Sequence, residues 1–595
     1  MHLRRRARLA VMSTAAAVVF VSLVFVELRA AAAPDQADPQ VLSTVELALG
    51  TARLTAIKWS DISDVAAQLM PIYAREPDRL LWFDGATPSP ALASTIDGLT
   101  HADDHGLDPA DYDAGTLFAR VAAVSTPVAS PADRATVDLA VSVATVRILK
   151  AARLGRVDPR TMKWGYDVAA RHLDLDAALE DVRRGKRLAE VLDSLEPPFP
   201  HYRRYHKQLE AYRALLKSGE PPVVPTLAKG QAKLTPGQTW PGVPALAARL
   251  RALGDLPMES AGPGSSGNVG AGSSRNVGAG PFIPSSNAPR PDLYTGPLVD
   301  AVKHFQLRHG LEPDGVIGDG TIRTLNVPLV KRVRQLELAM ERERWLPDLS
   351  GHPNVFVNVA LFRLWGDAAS KGEEPLRMNV VVGKSLSHQT PIFVEQMEYV
   401  IFRPYWNPPP SIVKGEILPH TRRDPKYLDK EDLEIVADGS DEAEALPATE
   451  ENLAAVASGK LFIRQRPGPK NALGLAKFIF PNDEAVYMHG TPAQKLFSRA
   501  RRDLSHGCIR LEDPARFAEW VLRDQPEWTR ANIDKAMQGD RPTHVSLTQD
   551  LTVVVFYNTA HVNSEGVAYF VDDIYGHDAT LDTALRRGYP YPAHH

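Results

Sequence analysis

The sequence predicts a multidomain α+β protein: a helical N-terminal part, a small three-helix module, and a mainly β domain towards the C-terminus. Apolar residues recur at helical spacing between Ile62 and about Leu227, as at Val137, Ala140, Val141, Ala144 and Ile148. From Val355 the texture changes to short runs rich in Val, Phe and Ile, at 355–364, 377–382, 397–402, 461–464 and 485–488, which read as strands. A chain of 595 residues also exceeds one core, since about 100–200 residues per domain is usual. Composition is that of a globular protein, with 44% hydrophobic and 24% charged residues. A net charge of −4 gives no electrostatic case for nucleic acid.

Arg4, Arg5, Arg6 and Arg8 precede an apolar run from Leu9 to Val26 and the small residues Ala30–Ala33. Residues 1–33 therefore read as a secretory signal. The run is also long enough for an uncleaved inner-membrane anchor through residues 9–26. Either way the body of the protein is expected outside the cytoplasm.

Residues 34–230 form the helical unit, with Asp108, Asp111 and Tyr112 read as cap and turn residues. Residues 236–329 form the three-helix module. Its first helix, Val243–Leu253, closes at Gly254, and its second carries Leu298, Val302 and Phe305 and ends at Gly310. The turn Asp314–Gly318 leads to a third helix at Thr321–Leu325. Between the first two lies an insertion, 258–291, whose Gly264–Ala271 tract is nearly repeated as Gly272–Ala279 and reads as a flexible loop. A charged amphipathic helix at 330–350 reads as a connector. The β domain spans 352–548 and contains an acidic insertion at 408–480; residues 549–595 form its C-terminal extension.

The chemistry concentrates in Tyr487-Met488-His489-Gly490-Thr491 and Ser505-His506-Gly507-Cys508-Ile509-Arg510-Leu511. Cys508 is the only cysteine in the chain, so it forms no disulfide within it. A lone thiol in an exported protein is a liability unless it does chemistry. Histidine or a positive field nearby favours the thiolate, the nucleophilic form. Gly507 allows close backbone approach and leaves N–H groups near the sulfur as oxyanion donors. A buried structural thiol is opposed by the polar neighbours Ser505, His506 and Arg510. A zinc site from His489, His506 and Cys508 is opposed by the His-x-Cys spacing and the lack of a second cysteine. After the loop, Asp513-Pro514 reads as the N-cap and first residue of a helix.

His-Gly-Thr followed by Ser-His-Gly-Cys-Ile-Arg-Leu resembles the active-site signature of the L,D-transpeptidases, the YkuD-type domain. The helical segments at 81–83, 104–112 and 202–205 are similar to the scaffold domain of the large periplasmic members. The three-helix module resembles a peptidoglycan-binding domain, and the 408–480 insertion a capping subdomain. The resemblance implies Cys508 as acyl-accepting nucleophile, His489 as general base, and the Gly490 carbonyl as orienter of the imidazole. It assigns Ser505, His506, Gly507 and Arg510 to the oxyanion pocket and substrate-facing loop, with Tyr487 beside them. Trp406, in the aromatic and proline-rich stretch after the third strand, is either packing or a wall of the stem-peptide groove.

The implied reaction cross-links third residues of peptidoglycan stem peptides through a Cys thioester and releases D-Ala, with neither metal nor cofactor. Donor and acceptor stems are the implied partners, carbapenem-type β-lactams the implied covalent inhibitors, and the periplasm or cell envelope the implied location. Two other readings of the residues stay open: a cysteine L,D-carboxypeptidase or peptidase with water as acceptor, and a non-catalytic peptidoglycan-binding protein.

Overall fold

The computed structural model describes residues 39–75, 80–168, 171–257, 291–349, 353–367 and 375–591. The expected signal or anchor and nearly all of the Gly/Ser insertion lie outside the described residues. Among those described, no helix is long and apolar enough to cross a membrane.

The N-terminal unit is organised around α1 (Pro131–Leu154), capped by Ser130, whose Oγ accepts from Asp133 N at 3.0 Å. Helices surround α1, so it is buried nearly all round, and its polar residues must find partners inside. Asp138 does so, accepting from Tyr73 OH (2.6 Å) and from the Leu81 and Trp82 backbone N–H groups. Asp108 caps a short turn by accepting from Ala110 N, as its sequence position predicts. The unit continues through α2 (Pro200–Ser218).

The small module packs α3 (Val243–Ala252), α4 (Pro297–Arg308) and α5 (Asp319–Leu325) around Leu246, Leu250, Val302, Phe305, Ile317 and Ile322. Gly254 and Gly310 take φ of +80° and +66° after the first two helices, the conformation a C-terminal glycine supplies. The helix that reads as a connector, α6 (Leu329–Glu343), packs on α2 and is largely buried. Its end carries Glu341, Arg342, Glu343 and Arg344, all buried. They are tolerated there because each meets a partner from another part of the chain. Arg156 reaches Glu341 (3.1 Å), Arg342 reaches Asp578 (2.6 Å), and Asn558 donates to Glu343 (2.8 Å).

Among the described residues nine strands build the large sheet: β1 (Asn354–Asn358), β2 (Arg363–Gly366), β3 (Leu376–Gly383), β4 (Phe393–Phe402), β5 (Ala476–Ile479), β6 (Met488–His489), β7 (Asp503–Ser505), β8 (Ile509–Leu511) and β9 (Thr543–Phe556). Their spatial order is β7-β3-β8-β6-β5-β4-β9-β1-β2, and β2 also pairs with β3, which makes the sheet barrel-like. The helix α7 (Pro514–Val521) covers the inner face, with Phe517 against Phe478 at 4.6 Å. Asp513 caps it, accepting from Arg516 N at 2.9 Å.

Several details differ from the sequence pattern: the run 355–364 splits into β1 and β2, and the run 485–488 forms only as Met488–His489. Ala476–Ile479, which the pattern leaves inside the insertion, is the strand between β6 and β4. The sequence predicts two strands, at 543–547 and 551–557, yet β9 runs through 548–550 with a register shift between Ser546 and Leu551. A bulge of this kind absorbs residues that break the apolar alternation. The expected strand 461–464 forms as Phe462–Gln465, but pairs with Leu433–Val436 inside the insertion. The insertion has its own small core of Val413, Ile417, Leu433, Ile435, Val456 and Ile463.

Candidate active site

The site lies where β5, β6 and β8 run side by side. β6 pairs with β5 in the register Lys477↔His489, and with β8 in the register His489↔Arg510. Paired residues on neighbouring strands share a face, and residues two apart along a strand share it too. Lys477, His489 and Arg510 therefore stand in a row on one face, with Tyr487 one step back along β6. Phe478, Met488 and Ile509 point the other way into the core, where each is fully buried.

Cys508 directly precedes β8, level with Tyr487. Gly507 sets its position, with a φ of +118° that side chains rarely adopt. Hydrogen bonds hold the turn: Ser505 Oγ donates to Cys508 O (2.6 Å) and accepts from Gly507 N (3.2 Å). The Gly507 N–H expected as an oxyanion donor is thus already engaged. Thr390 Oγ1 donates to Gly507 O (2.7 Å) and accepts from Gly383 N (2.9 Å). Tyr575, from the C-terminal part, donates through its hydroxyl to Gly383 O (2.5 Å) and accepts from Thr390 N (3.2 Å).

His489 is buried, and its Nδ1 donates to the Gly490 carbonyl oxygen at 2.5 Å. That bond assigns the proton to Nδ1 and leaves Nε2 as the basic nitrogen. Burial and then the Arg510 guanidinium pull its pKa down to about 3; Lys477 adds to this, and the Gly490 and Leu473 carbonyls oppose it. Burial pushes the Cys508 thiol up, against Tyr487 hydrogen bonding and the charges of Lys477 and Arg510. The resting pair is therefore neutral thiol and neutral imidazole, not the low-pKa thiolate that neighbouring cations alone predict.

The other expected residues fall into two groups. Tyr487 is at the thiol, and its ring carries Lys477 Nζ 4.0 Å from the centroid. His506 is exposed at the edge of the site, with its ring 4.9 Å from His388 and its Nε2 3.8 Å from Glu416 of the insertion, and the Arg510 charge reaches it. Trp406 pairs through its backbone with Gln465 at the base of the insertion (3.1 and 2.7 Å), and no contact brings it to Cys508. Sequence reasoning missed Lys477, Thr390 and Tyr575. An isolated lysine, threonine or tyrosine carries no signal of its own, and Lys477 lies in the strand the pattern assigns to the insertion.

The barrel-like sheet thus carries a lone thiol and a carbonyl-fixed histidine on one face. Residues 354–545 match the L,D-transpeptidase catalytic domain, YkuD. Residues 67–209 match the family described as "Scaffold domain", and 285–325 the one described as "Putative peptidoglycan binding domain". Along the chain the three matched regions follow in the order scaffold, peptidoglycan binding and L,D-transpeptidase catalytic domain. A curated protein of Haemophilus influenzae named "Putative L,D-transpeptidase" is 28% identical over 251 residues, 42% of this chain and 49% of that protein. The chain thus matches about half the length of that relative.

Proposed function

We propose that the protein cross-links peptidoglycan stem peptides between their third residues, through a thioester on Cys508, with release of D-Ala. The observation that carries this is the row on one sheet face: a thiol, an imidazole whose Nε2 is left free by the Gly490 carbonyl, and two cations. His489 Nε2 takes the Cys508 proton as sulfur attacks the carbonyl of the third residue. The Cys508 backbone N–H holds the developing oxyanion, since that of Gly507 is engaged. The tetrahedral intermediate collapses by breaking the C–N bond, and the D-Ala amine leaves with the proton from His489. A side-chain amine of a second stem then attacks the thioester, His489 takes its proton, and the thiol is restored.

Glu416 of the insertion, 3.8 Å from His506, supports a role for this segment as a cover over the site. On this reading the body of the chain works in the periplasm, the small module helps hold the wall, and a carbapenem acylates Cys508. The test is incubation of the purified protein with a disaccharide-tetrapeptide, followed by weighing of the products. A dimer lighter by one D-Ala and one free D-Ala per cross-link are expected. Tripeptide without dimer would make the protein a carboxypeptidase, and unchanged substrate would leave a wall-binding protein.

A further inference from the structure

Lys477 and Arg510 are half-buried, and neither makes a hydrogen bond or ion pair to a described protein acceptor. Arg510 Nε is buried without a partner. Lys477 has the Tyr487 ring beneath it; the groups that act on its charge are the Cys508 thiol, which also acts on Arg510 and is neutral at rest, and then Asp441, itself 3.1 Å from His544. Two such cations on one face are costly unless an anion completes them. They are placed on either side of His489, one strand away each, or about 4.8 Å across the sheet.

That placement has a chemical consequence, which rests on the proposed reaction. The amine of the leaving residue must lie at His489 Nε2 to receive its proton. The carboxylate of that same residue hangs from the same Cα, about 3 Å from the nitrogen by ordinary bond lengths. It must then fall beside His489, where the two cations stand.

We propose that Lys477 and Arg510 form the recognition site for the free α-carboxylate of the donor's terminal residue, and so select stems that end one residue after the scissile bond. Occupation of this site also offsets the Arg510 and Lys477 charges, which after burial hold protons off His489, so a correct donor makes the base more basic as it binds. A longer stem, whose carboxylate lies one residue further out, leaves the cations unpaired and the base weak.

The test uses binding, so it does not depend on turnover. Calorimetry on full-length Cys508→Ala compares a disaccharide-tetrapeptide whose only free carboxylate is the terminal one with the same stem carrying a terminal amide and its other carboxylates free. The terminal acid is expected to bind at least tenfold tighter. This preference is expected to fall below threefold in Cys508→Ala carrying Lys477→Met or Arg510→Met, and to persist with Lys477→Arg. Equal affinity of acid and amide, tighter binding of the amide, or a preference unchanged in both methionine variants would overturn the assignment. The acid-to-amide ratio in the parent protein tests it even where a variant fails to fold. A protein that keeps the preference but never cross-links would retain the carboxylate site and discard the proposed reaction.

Discussion

Replacing Lys477 with methionine should slow the reaction of Cys508 with a neutral alkylating agent. Lys477 Nζ lies 4.0 Å from the Tyr487 ring centroid, Tyr487 hydrogen-bonds the sulfur, and the Lys477 charge acts on Cys508. At a separation of about 7 Å and an effective dielectric of about 20, one cation stabilises a thiolate by about 2 kcal/mol. Below the titration midpoint, that is about 30-fold in thiolate population. A more basic thiolate is a better nucleophile, with a Brønsted coefficient of about 0.4–0.5, so the net loss in rate is about sixfold. The sign is fixed: the cation favours the charged form, and removing it lowers the thiolate fraction at every pH below the midpoint. Iodoacetamide labelling at pH 7, followed by intact-protein mass, reads the rate directly. Lys477→Arg should stay within twofold of the parent, and Lys460→Met, an exposed site on the insertion, should not differ from it. A Lys477→Met rate equal to or above the parent's would refute the electrostatic reading of this face.

Cys508→Ala should fold, by circular dichroism, and form no cross-links; serine there should also fail, because its hydroxyl does not ionise near neutrality. A carbapenem should add one drug mass per chain, found by mass spectrometry on the peptide holding Cys508 and absent from Cys508→Ala. Gly507→Ala meets no clash, its new Cβ lying 3.9 Å from Gln389 O, so its cost is the strained φ, about 1–3 kcal/mol. That variant should melt lower and form the carbapenem adduct at least tenfold more slowly. Thr390→Val leaves the buried Gly383 N–H and Gly507 carbonyl without a side-chain partner, and denaturant titration should show a loss of about 1–3 kcal/mol.

The local elements were legible where a single residue type decides the backbone. Asp513-Pro514 starts α7 because a carboxylate can take the free N–H groups of a first turn and proline lacks one. Gly254 and Gly310 end helices because a positive φ there costs glycine little. The one cysteine, its glycine and the upstream histidine marked the candidate site for the same reason: few residues can supply a nucleophile, a sharp turn or a base.

Pairing across the sheet was not legible. Strand Ala476–Ile479 is short and follows a long insertion, and nothing in its own composition says which strands it joins. Only its register with β6 sets Lys477 beside His489, and only the β6–β8 register sets Arg510 on the other side. The same limit hid the reversal at the thiol. Sequence supplies the cations that should favour a thiolate, but burial raises the Cys508 pKa and, with those same cations, lowers that of His489. Residue types fixed which chemistry is available here. Which groups are buried together, and hence which of their charges survive at rest, was decided by the fold, because desolvation depends on neighbours that are distant in the chain.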